Sequence, residues 1–338
     1  MAEAGITYRK KRLDRGIKAR AETIFAISSY REILYLLLPR VLPVIGLLVL
    51  PLVLKGYWGK VLIYACMYGL LALSWDFLSS CGLFSLGQAL FFGAGAYLAG
   101  TLNYYLHLPP LITLPIASVG GGLLCALLLS PVVRLRGVYF AMVTLMLPIL
   151  FMKMIETTGL MGGSHGLSAL APFPNEWVGS YLAVVGFLVC LFVFRRIIHQ
   201  DYGLILRAIR DDDRAVMSAG INIYWRKIQA LFLAGAVGAF AGAFMTHHYQ
   251  FVGMSVFALD YSILPVAAAA LGGAGTFAGA ALGSVILVPL SEALRALGGL
   301  RIAIYCGILV VSIIGLPEGI FHYLERKYHQ FERVVEVE

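Results

Sequence analysis

The sequence predicts an all-α polytopic integral membrane protein with about ten transmembrane helices. Of its 338 residues, 60% are hydrophobic and 13% are charged, against roughly 45–50% and about 25% in ordinary soluble chains. A chain of this length has room for about ten spans of roughly 20 apolar residues. Composition therefore places most of the chain in a bilayer.

Apolar runs mark ten candidate spans. Because about 20 helical residues are needed to cross the hydrocarbon, the run at 261–272 is too short to cross alone. We expect it either to extend towards the N-terminus or to form a broken or re-entrant pair with the next run. The runs cover residues 36–54, 61–80, 82–104, 111–130, 138–156, 178–195, 227–246, 261–272, 276–293 and 301–316.

Basic residues are concentrated in four segments, 1–40, 131–137, 195–227 and 317–338, which hold most of the 26 Lys and Arg residues. Because loops rich in Lys and Arg stay in the cytoplasm, both termini and the polar loop 196–226 are predicted to be cytoplasmic. The predicted organisation is a basic N-terminal segment at 1–40, a transmembrane domain at 41–316 and a C-terminal tail at 317–338. We expect the N-terminal segment to lie on anionic membrane lipid. Nucleic acid is not an expected partner, since the basic residues do not surround aromatic ones.

The longest polar stretch inside the apolar sequence is 201–222. Its aspartates at 211–213 can cap a helix, because short carboxylates accept the free amide hydrogens of a first turn. Gly220 suits the left-handed stop position of that helix. The stretch is either a solvated loop helix or a docking surface, and apolar residues such as Ala215 and Met217 favour docking.

Glycine-rich stretches occur in both halves of the chain, at 82–100 and 271–283. Small residues let membrane helices approach closely, so tight packing explains most of these glycines. The alternative is a helix that breaks near Ser85 and Gln88, with backbone and amide groups exposed on a pathway. Gly272 and Gly273 are the corresponding candidates in the second stretch.

Two further features leave alternatives open. Asp76 is an acidic residue well inside an early apolar run, and an ionisable group in a membrane is a functional candidate. It can instead lie near the cytoplasmic end of its helix, hydrogen-bonded to a neighbouring loop. The outward loop 157–167 contains Gly162, Gly163 and His165, and it is either a flexible turn or a surface that meets the solute or an external partner.

The sequence contains no recognisable catalytic constellation. No Walker A pattern occurs, and the five cysteines lie in apolar runs without a CxxC pair, as small buried hydrophobes do. We therefore expect that this chain is not an enzyme and binds no cofactor or metal ion itself.

Five segments in order resemble the permease subunits of branched-chain amino acid ABC transporters, specifically the LivM-like subunit. Each segment is weak alone, but their order along residues 61–316 is specific. The segments are 82–89 with 91–93, 135–141, 162–167, 207–211 with 220–222, and 271–276.

This resemblance implies an importer in the inner membrane of a prokaryote. Its partners would be a second homologous permease, two cytosolic ATP-binding subunits that use the ATP, and an extracytoplasmic solute-binding protein. The segment at 201–222 resembles the coupling helix that docks on the ATPase. The implied coupling residues are Arg207, Ala208, Arg210, Asp211, Ala215 and Gly220. Candidates for the translocation path are Asp76, Ser85, Gln88, Gly272 and Gly273, with Gly162, Gly163 and His165 in the external loop.

The sequence also departs from the family pattern. Asp76 stands where the family more often has Asn, Gln88 where it often has His, and His165 where it often has Asn. These departures leave the solute open between leucine, isoleucine or valine and urea or short amides. The alternative reading is a self-contained secondary transporter or channel, in which Asp76 would be the ion-linked carboxylate.

Overall fold

The computed structural model describes residues 30–54, 56–298 and 319–331, together with single positions between 300 and 315. Twelve helices can be delimited in these residues, with one pair of two-residue strands, β1 (Leu167–Ser168) and β2 (Phe251–Val252). The helices are α1 (Tyr30–Val53), α2 (Tyr57–Ser79), α3 (Gln88–Leu106), α4 (Pro110–Leu129), α5 (Val138–Thr158), α6 (Glu176–Ile198), α7 (Asp201–Asp211), α8 (Asp213–Ser218), α9 (Ile223–Tyr249), α10 (Asp260–Gly272), α11 (Ala278–Ala293) and α12 (Gly319–Phe331). Short 3-10 turns cover Val132–Arg134, Leu160–His165, Met254–Phe257 and Leu294–Leu297.

The all-α polytopic class is confirmed. Among the described residues, five helices are long and apolar enough to cross a membrane, namely α2, α4, α5, α6 and α9. Val41–Val53, α10 and α11 are shorter apolar helices. The count of ten spans stays a prediction, since most of the run at 301–316 lies outside the described residues.

The chain divides into two units between Leu47 and Leu48. Helix α1 begins at Tyr30 and ends at Val53, so the boundary predicted at residue 40 falls inside a continuous helix. Most of the predicted basic segment, residues 1–29, lies outside the described residues. All contacts described below belong to the second unit.

Helix α2 forms the centre of this unit. Every residue from 69 to 81 is buried, and α9, α11, α6 and α10 pack around the helix. Phe77 stacks on Phe194 of α6 with ring centroids 4.5 Å apart. A helix that is apolar on all sides is expected to be surrounded by others, which is the position that α2 occupies.

Glycines bring α3 and α9 into backbone contact. A methyl group on Gly95 would clash with the backbone of Ala239, and one on Gly242 would clash with the carbonyl of Phe92. Close approach of this kind is how helices associate where no hydrophobic effect operates between them. Tight packing is therefore confirmed as the role of these glycines.

Helix α3 begins six residues later than the apolar run at 82–104 predicts. Residues 83–87 are not helical, and side chains rather than carbonyls accept from the last two of their amides. Leu86 N donates to Thr144 Oγ1 at 3.0 Å, and Gly87 N donates to Ser85 Oγ at 3.2 Å. The predicted span start was wrong, whereas the break suggested near Ser85 is present.

A second break separates α10 from α11. Its backbone has positive φ at Gly273 (111°), Gly275 (92°) and Phe277 (54°). A helix cannot continue through such angles. The short run at 261–272 therefore forms a broken pair with the next run, as one of the two sequence interpretations expected.

The loops separate into two ends of the bundle. One end, here called the polar end, comprises residues 80–87, 130–137, 199–222 and 273–277. Gly82 contacts Arg210, Arg136 contacts Asp213, and Gly275 binds Asp76 near the end of α2. The opposite end carries the β1–β2 pair and the hydrogen bond from Tyr57 Oη to Glu292 Oε1 at 2.8 Å. The two basic segments 131–137 and 195–227 thus share one end, while their orientation in a membrane stays a prediction.

Candidate functional site

The polar segment 201–222 folds as two helices joined at Asp212. Asp212 is extended, and its Oδ1 accepts the amide hydrogen of Arg214 at 2.8 Å, which caps α8. Gly220 has φ of 81°, and the following Ile221 N donates to Val216 O at 3.4 Å. Both the aspartate cap and the glycine stop that the sequence predicts are therefore confirmed.

Apolar residues fasten this segment to the bundle. Ile209, Val216 and Ile223 form a buried cluster from α7, α8 and α9. Tyr202 Oη lies 3.4 Å from the carbonyl of Arg226, whose guanidinium lies 5.7 Å from the centre of the Tyr202 ring. Burial raises the pKa of Tyr202 to about 12, so this hydroxyl keeps its proton and can donate.

A buried ion pair ties α8 to α9. Lys227 Nζ lies 3.1 and 3.2 Å from the two carboxylate oxygens of Asp213, and the Lys227 side chain is only 8% exposed. Arg136 Nη2 approaches the same carboxylate at 3.7 Å. This pair was not predicted from the sequence, although a lysine near the start of an apolar helix is a signal, since buried lysines need a partner.

The six predicted coupling residues share one property: all are exposed. Leu204 (60%) and Met217 (41%) are also exposed on the same two helices. Apolar side chains in a polar, exposed segment are typical of contact surfaces. We call this set the docking surface; it comprises Leu204, Arg207, Ala208, Arg210, Asp211, Ala215, Met217 and Gly220.

The docking surface rests on the end of α2. Gly82 has φ of 75°, and a methyl group placed there would lie 3.4 Å from Arg210 Cα. The turn that contains Gly82 continues α2, since Ser80 N donates to Asp76 O at 3.1 Å. Displacement of α7 would therefore act directly on the central helix.

Asp76 is fully buried at this end of α2. Its Oδ1 accepts from Gly275 N at 2.5 Å and its Oδ2 accepts from Phe277 N at 2.9 Å. These amides belong to the break before α11, where a carboxylate is favoured by the helix dipole. We call Asp76, Gly275 and Phe277 the latch. The interpretation that Asp76 is hydrogen-bonded to a neighbouring loop is confirmed.

The other path candidates are buried. Gln88 Oε1 accepts from Ser74 Oγ at 2.7 Å, while Gln88 Nε2 has no partner among the described residues. A methyl group on Gly272 would clash with the carbonyl of Gly279. The structure brings Asp76 next to the loop that Gly273 begins, and Ser85 and Gln88 lie at the other break. Their role in a translocation path stays a prediction.

The predicted external loop lies at the opposite end. Gly162, Gly163 and His165 form the 3-10 turn before β1, with Gly163 buried and His165 exposed. Strand β1 pairs antiparallel with β2, Leu167 opposite Val252. In the described part of the chain, no group of three His, Cys, Asp or Glu side chains could hold a metal ion.

The amino-acid sequence is similar to those of known transport permeases. The LivM high-affinity branched-chain amino acid transport permease of Escherichia coli K12 is 28% identical over 270 residues, covering 71% of this chain and 64% of the relative. The LivM of Salmonella typhimurium matches to the same extent. A probable LivM permease of Methanocaldococcus jannaschii is 26% identical over 222 residues, covering 59% of this chain and 64% of the relative.

The match thus spans 64% of the length of these relatives. No solved structure matches. The sequence model of the family described as the permease component of the branched-chain amino acid transport system matches residues 57–315. That range runs from the start of α2 past α11 and includes both breaks and the docking surface, so the chain belongs to this permease family.

Proposed function

We propose that this chain is the membrane-spanning permease subunit of a binding-protein-dependent ABC importer for branched-chain amino acids or a related small amino acid or amide. The family match over residues 57–315 carries the proposal. The names of the relatives in two bacteria and an archaeon point to the same solutes.

The chain would work with a second homologous permease, two cytosolic ATP-binding subunits and an extracytoplasmic solute-binding protein. It would lie in a prokaryotic inner membrane with both termini and the polar end in the cytoplasm, as the distribution of Lys and Arg favours. ATP would be used by the partner subunits, and this chain would bind no cofactor.

The geometry of the polar end supports a coupling role. The docking surface is exposed, yet two contacts connect its helices to the bundle, Gly82 against Arg210 and Asp213 with Lys227. The latch at Asp76 in turn joins α2 to the break before α11. Movement of α7 and α8 on an ATPase would pass to α2, α9 and α11. The breaks at 80–87 and 273–277 are where the bundle can change shape, because non-helical backbone lacks the regular helical hydrogen bonds.

The solute would pass beside these two breaks. Gln88 supports this choice, because its Nε2 is buried and has no acceptor among the described residues; a buried amide without an acceptor costs about 1–3 kcal/mol. A conformation that opens the break would give this amide an acceptor on solute or water. Ser85 and the 272–273 glycines border the same breaks.

The secondary-transporter alternative is not favoured by the surroundings of Asp76. Both carboxylate oxygens already accept backbone amide hydrogens. Protonation would remove an acceptor and leave a buried amide without a partner. Asp76 is therefore better suited to hold the break before α11 than to exchange a proton.

Purification from native membranes tests the proposal. The tagged chain in mild detergent should bring down a second permease and Walker-type ATPases in stoichiometric amounts, as identified by mass spectrometry. Arg207→Glu with Arg210→Glu should lose the ATPases and keep the second permease, because the change reverses charge on the docking surface. Arg134→Glu, another exposed arginine at the polar end, is the matched control. A chain that purifies alone would contradict the proposal.

A further inference from the structure

A cleft of about 290 Å³ opens at the end of the bundle opposite the docking surface, between α3, α9, α10 and residues 251–256. Phe92, Met245 and Thr246 form its buried floor, and Tyr249, Phe251 and Ser255 form its exposed rim. The cleft therefore has a closed bottom and an accessible mouth, as small-molecule sites do.

The walls of the cleft are apolar and aromatic. Tyr261 stacks on Phe92 with ring centroids 4.1 Å apart and on Tyr68 at 5.4 Å, so one wall is a rigid stack of rings. None of the described residues that line the cleft carries a charge. Thr246 Oγ1 lies 3.1 Å from Gly242 O and 3.2 Å from Ala96 O, which satisfies its hydroxyl internally. The floor can therefore make apolar contacts with an aliphatic group, but it provides no charged partner for an ionised group.

The rim of the cleft is joined to the predicted external loop. Strand β2, which includes Phe251, pairs with β1 directly after the 3-10 turn at Leu160–His165. A methyl group on Gly166 would lie 3.0 Å from Gly253 Cα and 3.2 Å from Phe251 Cζ. A protein that presses on the external loop would therefore move the mouth of the cleft.

We propose that this cleft receives the branched aliphatic side chain of the solute as the solute leaves its binding protein, with the charged amino and carboxylate groups left at the rim. The inference rests on the proposed function, which supplies an aliphatic amino acid at this end of the bundle. The size and lack of charge of the cleft select this occupant over an acidic or basic amino acid. Loop contacts at Gly166 couple its mouth to docking of the binding protein.

Thiol labelling at the rim tests occupancy directly. In the complete transporter carrying Ser255→Cys, a maleimide should label residue 255, whereas Cys66, Cys81 and Cys125 are buried. Because Cys190 is partly exposed, labelling is read on the peptide that contains residue 255. Free leucine at ten times its half-protecting concentration should slow labelling about tenfold by mass action, and glutamate should not slow it. Labelling that leucine leaves unchanged overturns the proposal. If labelling becomes faster only when lipid is removed, the proposal is also overturned, because that result means that a lipid chain occupies the cleft in the membrane.

Filling the cleft gives the second test. Ser255→Trp should reduce leucine uptake by at least about tenfold, the scale of one methylene in an apolar pocket, while Ala258→Trp, at an exposed position that does not line the cleft, should keep it. Co-purification with the ATPases and unchanged basal ATP hydrolysis would establish that the Ser255→Trp complex is folded. Normal ATP-driven leucine uptake in that variant refutes the cleft and leaves the importer function standing. A wild-type complex that does not use ATP refutes the importer function instead.

Discussion

The Asp76→Asn substitution distinguishes two roles for Asp76, the structural latch and an ion-linked carboxylate. The asparagine keeps one side-chain oxygen that can accept from Gly275 or Phe277, and it turns an NH2 group towards the other amide. Because the carboxylate makes two charge-assisted bonds at 2.5 and 2.9 Å, each worth about 1.5–3 kcal/mol, Asp76→Asn should lower the free energy of unfolding by about the value of one bond. Asp76→Ala removes both acceptors and should lower it by about twice as much.

The assay combines thermal unfolding of the purified complex with ATP-driven uptake in proteoliposomes. Asp76→Asn should unfold several degrees below the wild type and still transport with ATP, at a rate that does not change when an ionophore collapses the ion gradient. Asp76→Ala should unfold lower still and lose most transport, because α11 is no longer held at its first turn. An Asp76→Asn complex with unchanged thermal stability and no transport would refute the latch and support a carboxylate that titrates.

Three further predictions concern the polar end. Lys227→Met should destabilise the complex by about 1.5–3 kcal/mol, because the Asp213 carboxylate loses its buried partner and keeps only the exposed Arg136; adding Asp213→Asn should recover part of the loss in thermal unfolding, and additive losses would contradict the pair. Gly82→Ala should reduce uptake while ATP hydrolysis continues, since it strains a positive φ at the point where α2 contacts α7, whereas Gly137→Ala strains a positive φ of 55° in open space and should keep uptake. Asp212→Ala should lower stability by about 1 kcal/mol, and an unchanged unfolding midpoint would show that α8 needs no cap.

The helical class and the break before α11 could be predicted because they depend on local signals. Composition gave the membrane class, and the length of the run at 261–272 indicated that it could not cross alone. The cap at Asp212 and the stop at Gly220 follow from the same short-range chemistry. The start of α3 at Gln88 could not be predicted, since the amide of Leu86 just before it donates to Thr144 in a helix that lies far along the chain.

Contacts over long sequence distances were beyond the sequence alone. Asp76 and its partners are separated by about 200 positions, so a polar side chain in an apolar run left the alternatives of latch and ion site equally visible. The Asp213–Lys227 pair and the cleft between α3, α9 and α10 likewise depend on how helices pack. The buried positions of Ser85 and Gln88 came from the structure as well.

The most direct test of the account is uptake of labelled leucine into proteoliposomes that contain this chain, its sister permease, the ATPases and the binding protein. We predict uptake that requires both ATP and the binding protein and persists when ion gradients are collapsed. Uptake by this chain alone, without ATP and dependent on an ion gradient, would contradict it.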